Sequence, residues 1–388
     1  MKFHVCDTLS GRIVGRLYPN AWSFTDPLAT PGTGTLTVPL PDAPAAVGLL
    51  GDLTAQRRRW VACEDDQGRF LFGAVIPRRP ARGEGVVTVP LVDWRSWFYR
   101  APIRPNEDGS RRNYIKTGSN ATEQTTMMAD LLELALDTTG APDMVIDTPP
   151  VSGVERERTC LMLDRSVGEY LDGMSSWKVE RGAEWHVYVA RDLTDPLRLV
   201  PHVAISWPER ASRSTPIRVE YKDGVGGNAA DPSWPEGVET PTRAWAVGDG
   251  QPPDQVWATD EVPSIEDGVE VAWEQVLGPL DGVSKKGTAF EYAFRVVEYG
   301  QANLQGEAEF TVLDAQIPLG DYATGDRARL IYADGWEDVD LPAARITERT
   351  LSGGRGQATQ ARIKVDLANS DYGDTSTVPG EEVADDGS

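Results

Sequence analysis

The chain has 388 residues, 40% of them apolar, with 60 acidic and 38 basic side chains and a net charge of −22. This length exceeds what one hydrophobic core usually supports, so two to four domains are expected. The acidic excess lies in residues 117–388, since residues 1–116 hold 16 basic and 11 acidic side chains, and so acidic an average argues against wrapping nucleic acid, whose binding rests on neutralised phosphates.

Residues 1–100 read as β-rich. Strand candidates are Phe3 to Val5, Ile13 to Val14, Thr35 to Val38, Trp60 to Cys63, Phe70 to Ile76 and Val86 to Val89. Turn signals at Ser10-Gly11, Pro31-Gly32, Asp65 to Gly68 and Arg82 to Gly85 separate them, and short strands at this spacing predict a barrel or sandwich. Val92 to Arg100 then crowds Trp94, Trp97, Phe98 and Tyr99 beside Arg95 and Arg100. Aromatic faces near cations can stack nucleic-acid bases. In so acidic a chain the preferred reading is a barrel lid, with its aromatics in the core and its arginines facing a neighbouring subunit.

Residues 101–205 change character. Asn120 and Glu123 form an N-cap pair, and Met127, Met128, Leu131, Leu132, Leu134 and Ala135 recur at helical spacing before Gly140. Ser166 to Glu169 is a capping box opening a second helix with Val167, Leu171 and Met174 on one face. Trp185 to Val189 and Leu197 to Val200 read as a hairpin, which makes this a small α+β domain.

Ile217 to Tyr221 returns to strand chemistry, and the Gly/Pro/Asp-rich run from Asp223 to Gly250 reads as a linker or long loop. Residues 254–300 are rich in carboxylates, namely Asp260, Glu261, Glu266, Asp267, Glu270 and Glu274, while Phe290 to Tyr299 fits neither the helix nor the strand period. From Glu307 the alternation becomes regular: Glu309 to Leu313, Arg327 to Tyr332, Ala343 to Thr347 and Ala361 to Leu367. Asp334-Gly335 and Ser352-Gly353-Gly354 stand between these runs as turn signals, predicting a small antiparallel sheet or barrel. Asn369 to Ser388 carries six acidic residues and no basic one, the composition of a solvated, disordered tail.

Candidate chemistry is sparse. Cys6, Cys63 and Cys160 are odd in number and widely spaced, which predicts free buried thiols. His4, His186 and His202 lack ligand-spaced partners, Gly224-Val225-Gly226-Gly227 lacks the Lys-Ser/Thr of a phosphate loop, and no Gly-x-Ser-x-Gly elbow occurs. No catalytic, cofactor or metal residue is therefore assigned, and no cofactor is expected. No apolar run approaches the ~20 residues of a membrane helix, and Met1 to Asp7 enters a strand pattern directly, so neither stable membrane insertion nor a signal peptide is expected.

The order of these elements carries a resemblance. The hairpin from Trp60 to Ile76, the helix-then-hairpin run from Arg165 to Val200, and the Leu319 to Asp326 entry into the Arg327-x-Arg329 strand resemble siphophage tail hub proteins, the family of the tail-associated hub and the central hub rings of contractile tails. The likeness covers about residues 1–370. It implies a predominantly β, α+β fold of two antiparallel β-barrels with inserted small α+β domains. The first barrel would take residues 1–100, an α+β domain 101–205, the second barrel 206–225 plus 308–369, a loop-rich acidic insertion 226–307, and an acidic tail 370–388. It also implies a non-enzymatic structural protein at the virion's tail tip, assembled in the host cytoplasm. A homotrimer would join the sixfold tail tube to the threefold tip and let DNA pass without specific binding. The implied partners are the distal tail protein or tail-tube ring, the tape measure protein and other tail-tip or receptor-binding proteins. The alternatives are a cell-wall or glycan hydrolase using a carboxylate pair near Asp260 to Glu274, and a carbohydrate-binding β-protein using Trp234, Trp245 and Trp257.

Overall fold

The structure is a computed structural model. It describes residues 1–366 apart from 107–109, 117–121, 139, 157, 176–182, 208, 212, 223–226, 234–240, 249, 251–254, 267, 269–270, 279, 281–285, 303–306, 313–316 and 334–337. Asn120, Gly224, Trp234, Asp267, Glu270, Asp334, Gly335 and the tail from 367 onward lie outside the described residues.

The first strand group contains β1 (Lys2–Asp7), β2 (Ile13–Leu17), β3 (Ala21–Pro27), β4 (Thr33–Pro39), β5 (Arg59–Glu64), β6 (Phe70–Val75), β7 (Ala81–Arg82) and β8 (Val86–Asp93), with helix α1 (Pro44–Leu53) between β4 and β5. The alternation is literal in β8, where every second residue is buried: Val87, Val89, Leu91 and Asp93. Helix α2 (Arg95–Phe98) closes the group. Trp94 and Phe98 are almost wholly buried and Trp97 and Tyr99 partly so. Arg95, expected to face a neighbouring subunit, is itself buried, held by Asp93, Asp26 and the Pro27 and Leu28 carbonyls; of the two arginines only Arg100 is exposed.

The α+β part holds the short strands β9 (Tyr114–Lys116), β10 (Thr122–Glu123), β11 (Val145–Ile146), β12 (Glu155–Arg156) and β13 (Arg158–Cys160), helices α3 (Gln124–Leu136) and α4 (Val167–Ser175), and the hairpin β14 (Glu184–Arg191) with β15 (Leu199–Ser206). Helix α3 starts four residues after Asn120, and Glu123 is its N-cap, accepting from the Thr126 amide. The Ser166 capping box is present as read: the Ser166 amide donates to Glu169 and the Glu169 amide donates to Ser166 Oγ. Met127, Met128, Leu131, Leu132, Leu171 and Met174 share one buried cluster.

The remaining elements are β16 (Ile217–Lys222), β17 (Ala229–Ser233), β18 (Arg243–Val247), β19 (Trp257–Glu261), α5 (Pro263–Glu266), β20 (Glu274–Leu277), α6 (Lys286–Ala302), β21 (Glu307–Val312), β22 (Arg327–Ala333), β23 (Asp338–Gly354) and β24 (Gln360–Asp366). Three expectations change here. The stretch read as loop contains β17 and β18, and the undecided segment is helix α6, whose Ala289, Ala293 and Val297 pack on Ala244, Ala246 and Ala258 of the β18–β19–β20 sheet. Those buried positions are small, so neither period shows in a count of large apolar residues. Ser352 to Gly354 is strand and not turn, paired with Ala21 to Ser23, and the chain reverses past it, at Arg355 and Gly356. A Cβ on Gly353 would stand 2.9 Å from Trp22 Nε1, so glycine here admits the Trp22 ring against the strand.

The predominantly β, α+β class holds. Fourteen strands form one network along the path β17-β21-β24-β23-β3-β4-β8-β6-β5-β1-β2, with β22 added on β23, β16 on β22 and β7 on β8. Among the described residues this ladder is open: neither group closes on itself by backbone pairing. The ends of the second group approach where the Glu220 amide donates to Asn228 Oδ1 and Asn228 Nδ2 donates to the Arg218 carbonyl, which ties β16 to the start of β17 by a side chain. β16 pairs in parallel with β22, against the antiparallel expectation. A parallel partner requires a long crossover, and more than a hundred residues separate Lys222 from Arg327 in the sequence. β3 joins the two groups, with Trp22 opposite Gly353 and Thr25 opposite Thr350. One buried cluster accordingly takes in Phe24, Leu36 and Phe72 from the first group and Phe310, Tyr332 and Ile363 from the second. The β14–β15 hairpin packs on the first group through Cys6, Trp60, Trp94, Val189 and Leu199, with the Trp60 and Trp94 rings edge to face at 5.6 Å.

Candidate functional site: a buried charge junction

The largest concentration of buried charge lies where β3, the β8–α2 corner, β14 and β22–β23 meet. Arg345 and Arg349 are both buried on β23, and a register shift between Ile346 and Glu348 turns them to opposite faces of the strand. Asp26 is near the end of β3. Arg95 Nε donates to Asp93 Oδ2 at 2.8 Å, its Nη2 reaches Asp26 Oδ1 at 3.2 Å, and it also caps the Pro27 and Leu28 carbonyls. Arg210 Nη2 holds the other Asp26 oxygen at 3.2 Å, while its amide donates to Glu184 Oε2 at 2.7 Å. Arg345 Nη1 donates to Glu184 Oε1 at 2.8 Å, and Arg327 grips Glu209 at 2.7 Å. Thr324 Oγ1 donates to the Asp26 carbonyl at 2.6 Å.

Among the described residues Arg349 makes no carboxylate contact. Its guanidinium donates to the carbonyls of Leu319, Tyr322 and Leu71, and it lies over the Tyr322 ring at 5.8 Å. It thereby connects β6 to the entry of β22. At the edge of this network Arg69 pairs with both Asp65 and Asp321, again linking the two strand groups.

Burial alone would raise the Asp26 carboxyl, but the Arg210, Arg95 and Arg349 guanidiniums outweigh it and hold its pKa below the ordinary value. Burial raises the Asp93 pKa despite its hydrogen bond from the Gly32 amide, since it has only Arg95 against that burial and also feels the Asp26 charge. Paired and hydrogen-bonded buried ions of this kind fix geometry, and losing one partner strands the other. The arrangement ties β3, the β8–α2 corner, β14 and β22–β23 together.

The other candidates do not converge. His4 Nε2 meets Glu64 at 2.7 Å, His202 Nδ1 meets Asp147 at 2.9 Å, and His186 is pushed down to about 3 by burial. No group of three metal-ligating side chains occurs among the described residues. The three cysteines are free and buried; burial raises Cys6 to about 12 and Cys160 to about 11. Of the acidic cluster, Glu261 and Glu274 both bind Arg243, at 2.5 and 2.6 Å, and so share one cation in place of facing each other across a cleft. Trp245 and Trp257 lie 5.7 Å apart with Trp257 half exposed. Among the described residues no helix is long and apolar enough to cross a membrane.

The sequence reading missed the junction. Part of its signal was visible: Arg349 stands two residues from Leu351, in register with buried apolar residues, and a charge there demands a buried partner.

No protein-family model matches the chain, and neither does any curated protein. Solved structures do match in fold. The 43 kDa tail protein of prophage MuSo2 from Shewanella oneidensis superposes with a TM-score of 0.57 at 13% identity, over 95% of this chain and 99% of that one. The tail protein from Neisseria meningitidis MC58 gives 0.56 at 11% identity, over 94% and 96%. A chain of a Francisella PdpA–VgrG complex gives 0.53 at 9% identity; 95% of this chain matches 53% of that longer one. Over about 95% of its length the chain has the fold of phage tail proteins, as the resemblance implied.

Proposed function

We propose that the chain is a structural hub of a phage tail tip, without enzymatic activity. The observation that carries this reading is the coverage of the fold match: nearly the whole of this chain aligns with nearly the whole of a prophage tail protein, both strand groups included. Three copies form a ring that joins a sixfold tail tube to a threefold tip, because two similar strand groups per chain present six similar units around an axis. Each interface is heterologous and closes on itself. In this reading residues 1–100 and 206–225 plus 308–369 are the two barrel units, 101–205 and 226–307 are insertions, and 370–388 is a tail.

The buried junction suits the role. A ring element under load must not shear between its two units: Asp26 holds Arg210 and Arg69 holds Asp321 across that boundary, while Glu184 ties the α+β part to Arg345. The acidic excess of residues 117–388 faces the channel, where it repels passing DNA. Partners are the tail-tube ring or distal tail protein, the tape measure protein and receptor-binding proteins of the tip. Antibody labelling of virions tests the placement. Label at the tail tip is expected; label on the head or along the tube overturns it.

A second reading is favoured by the half-exposed Trp257 beside Trp245, which offers a sugar-stacking face on the same tail-tip protein. Binding on a glycan array that is lost in Trp257→Ala distinguishes it.

A further inference from the structure

The chain is strongly acidic, and most of its described arginines have found carboxylates. One surface departs from this. A groove of about 840 Å³ runs over the outer face of β3, β4 and β8, walled by Arg57, Arg78 and Arg100 and floored by the hydroxyls of Ser23, Thr33 and Thr35. A second hollow of about 220 Å³ carries Arg79 and Arg82. The two share the loops at 55–57 and 77–80, so their arginines form a belt. Neither is lined by a single carboxylate. All five arginines are exposed, and among the described residues none of their guanidiniums has an ion pair or hydrogen bond.

Five unpaired cations on a chain with net charge −22 point to an anionic occupant. The sequence contains one of the right kind. Residues 367–388 hold Asp371, Asp374, Glu381, Glu382, Asp385 and Asp386 and no basic residue. Their position along the chain also fits. On β24, Arg362 lies opposite Thr350 of β23, which lies opposite Thr25 of β3, a residue that lines the groove. Thr25 and Thr350 share a hydroxyl hydrogen bond at 2.9 Å on the outer face. Asp366, where the described chain stops, is therefore about 10 Å across the sheet and about 13 Å along it from Thr25, at roughly 4.8 Å per strand and 3.3 Å per residue. The five residues to Asp371 span up to about 17 Å, and the next fifteen about 50 Å more. The first carboxylate reaches the near edge of the groove and the rest can follow the belt.

We propose that the acidic segment 371–386 docks in cis along the Arg57–Arg78–Arg79–Arg82–Arg100 belt on the outer face of β3, β4 and β8. The inference stands independently of the hub reading, since it uses only charge and reach within one chain.

The test compares the full chain with a full-length variant in which the six acids are neutralised to Asn or Gln (Asp371→Asn, Asp374→Asn, Glu381→Gln, Glu382→Gln, Asp385→Asn, Asp386→Asn). An arginine-selective dicarbonyl reagent is applied and modification of each arginine is read by peptide mass spectrometry, with exposed Arg16 on β2 as the internal reference. In the native chain the belt arginines should react several-fold more slowly than Arg16. That protection should vanish in the neutralised variant and weaken as salt rises from 50 mM to 1 M, since screening shortens the reach of exposed charges. Equal reactivity in the two proteins overturns the proposal. Protection that grows with protein concentration also overturns it, because the cover would then come from another copy. A fluorescence unfolding curve matching the native one verifies that the six substitutions leave the cores untouched.

Discussion

Asp26→Asn is the sharpest probe of the junction between the strand groups. The substitution keeps the shape of the side chain and removes its charge. Arg210, only 8% exposed, loses the one carboxylate its guanidinium holds, while Arg95 keeps Asp93 and two carbonyls. Breaking a buried pair from one side costs about 3–5 kcal/mol, and because Arg95 stays paired the expected loss is at the lower end, about 3 kcal/mol. The pH dependence gives a second handle. The folded Asp26 pKa is depressed below its unfolded value of about 3.9. Its contribution is therefore complete above pH ~4 and is lost as pH falls through the depressed folded value. Urea unfolding followed by tryptophan fluorescence should show native protein and variant differing by about 3 kcal/mol at pH 7 and converging on acidification below pH ~4. Combining Asp26→Asn with Arg210→Met should recover part of the loss, since the stranded cation is gone. A loss under about 1 kcal/mol at pH 7, or a difference unchanged down to pH 3, would refute the argument.

Other consequences can be checked alongside. Gly34→Ala places a Cβ 2.4 Å from the Ser23 carbonyl oxygen and 2.8 Å from Phe24 Cδ2; with backbone on one side it should cost about 1–3 kcal/mol, read as a lowered Tm. Ser166→Ala removes the acceptor for the Glu169 amide and should cost about 1 kcal/mol in the same assay. Cys6, Cys63 and Cys160 should be silent to a thiol reagent at pH 8 in the native protein and all titrate in urea, because burial raises each thiol; one fast native thiol would contradict the packing.

What the sequence made legible was whatever large apolar residues spell out. The strands at Val86 to Val89 and Ala361 to Asp366, the Ser166 capping box and the β14–β15 hairpin all follow from period and capping chemistry. β3 escaped because its inward side chains, Trp22 and Phe24, are two residues between Ser, Thr and Asp. It is nonetheless the strand that joins the halves. Helix α6 and the β18–β20 sheet escaped because their contact is built from alanines. The junction escaped for a different reason: the arginines read as surface until Glu184 and Glu209 are folded against Arg345 and Arg327, and Asp26 against Arg210, each more than a hundred residues away. The resemblance to tail hubs survived these gaps because it rested on element order, which the missed pieces do not disturb.

The most direct test of the hub is the native mass in solution, measured by light scattering across a concentration series. The account predicts a plateau near three times 42.3 kDa. A single-chain mass held to the highest concentration, or a plateau at two chains, would contradict it.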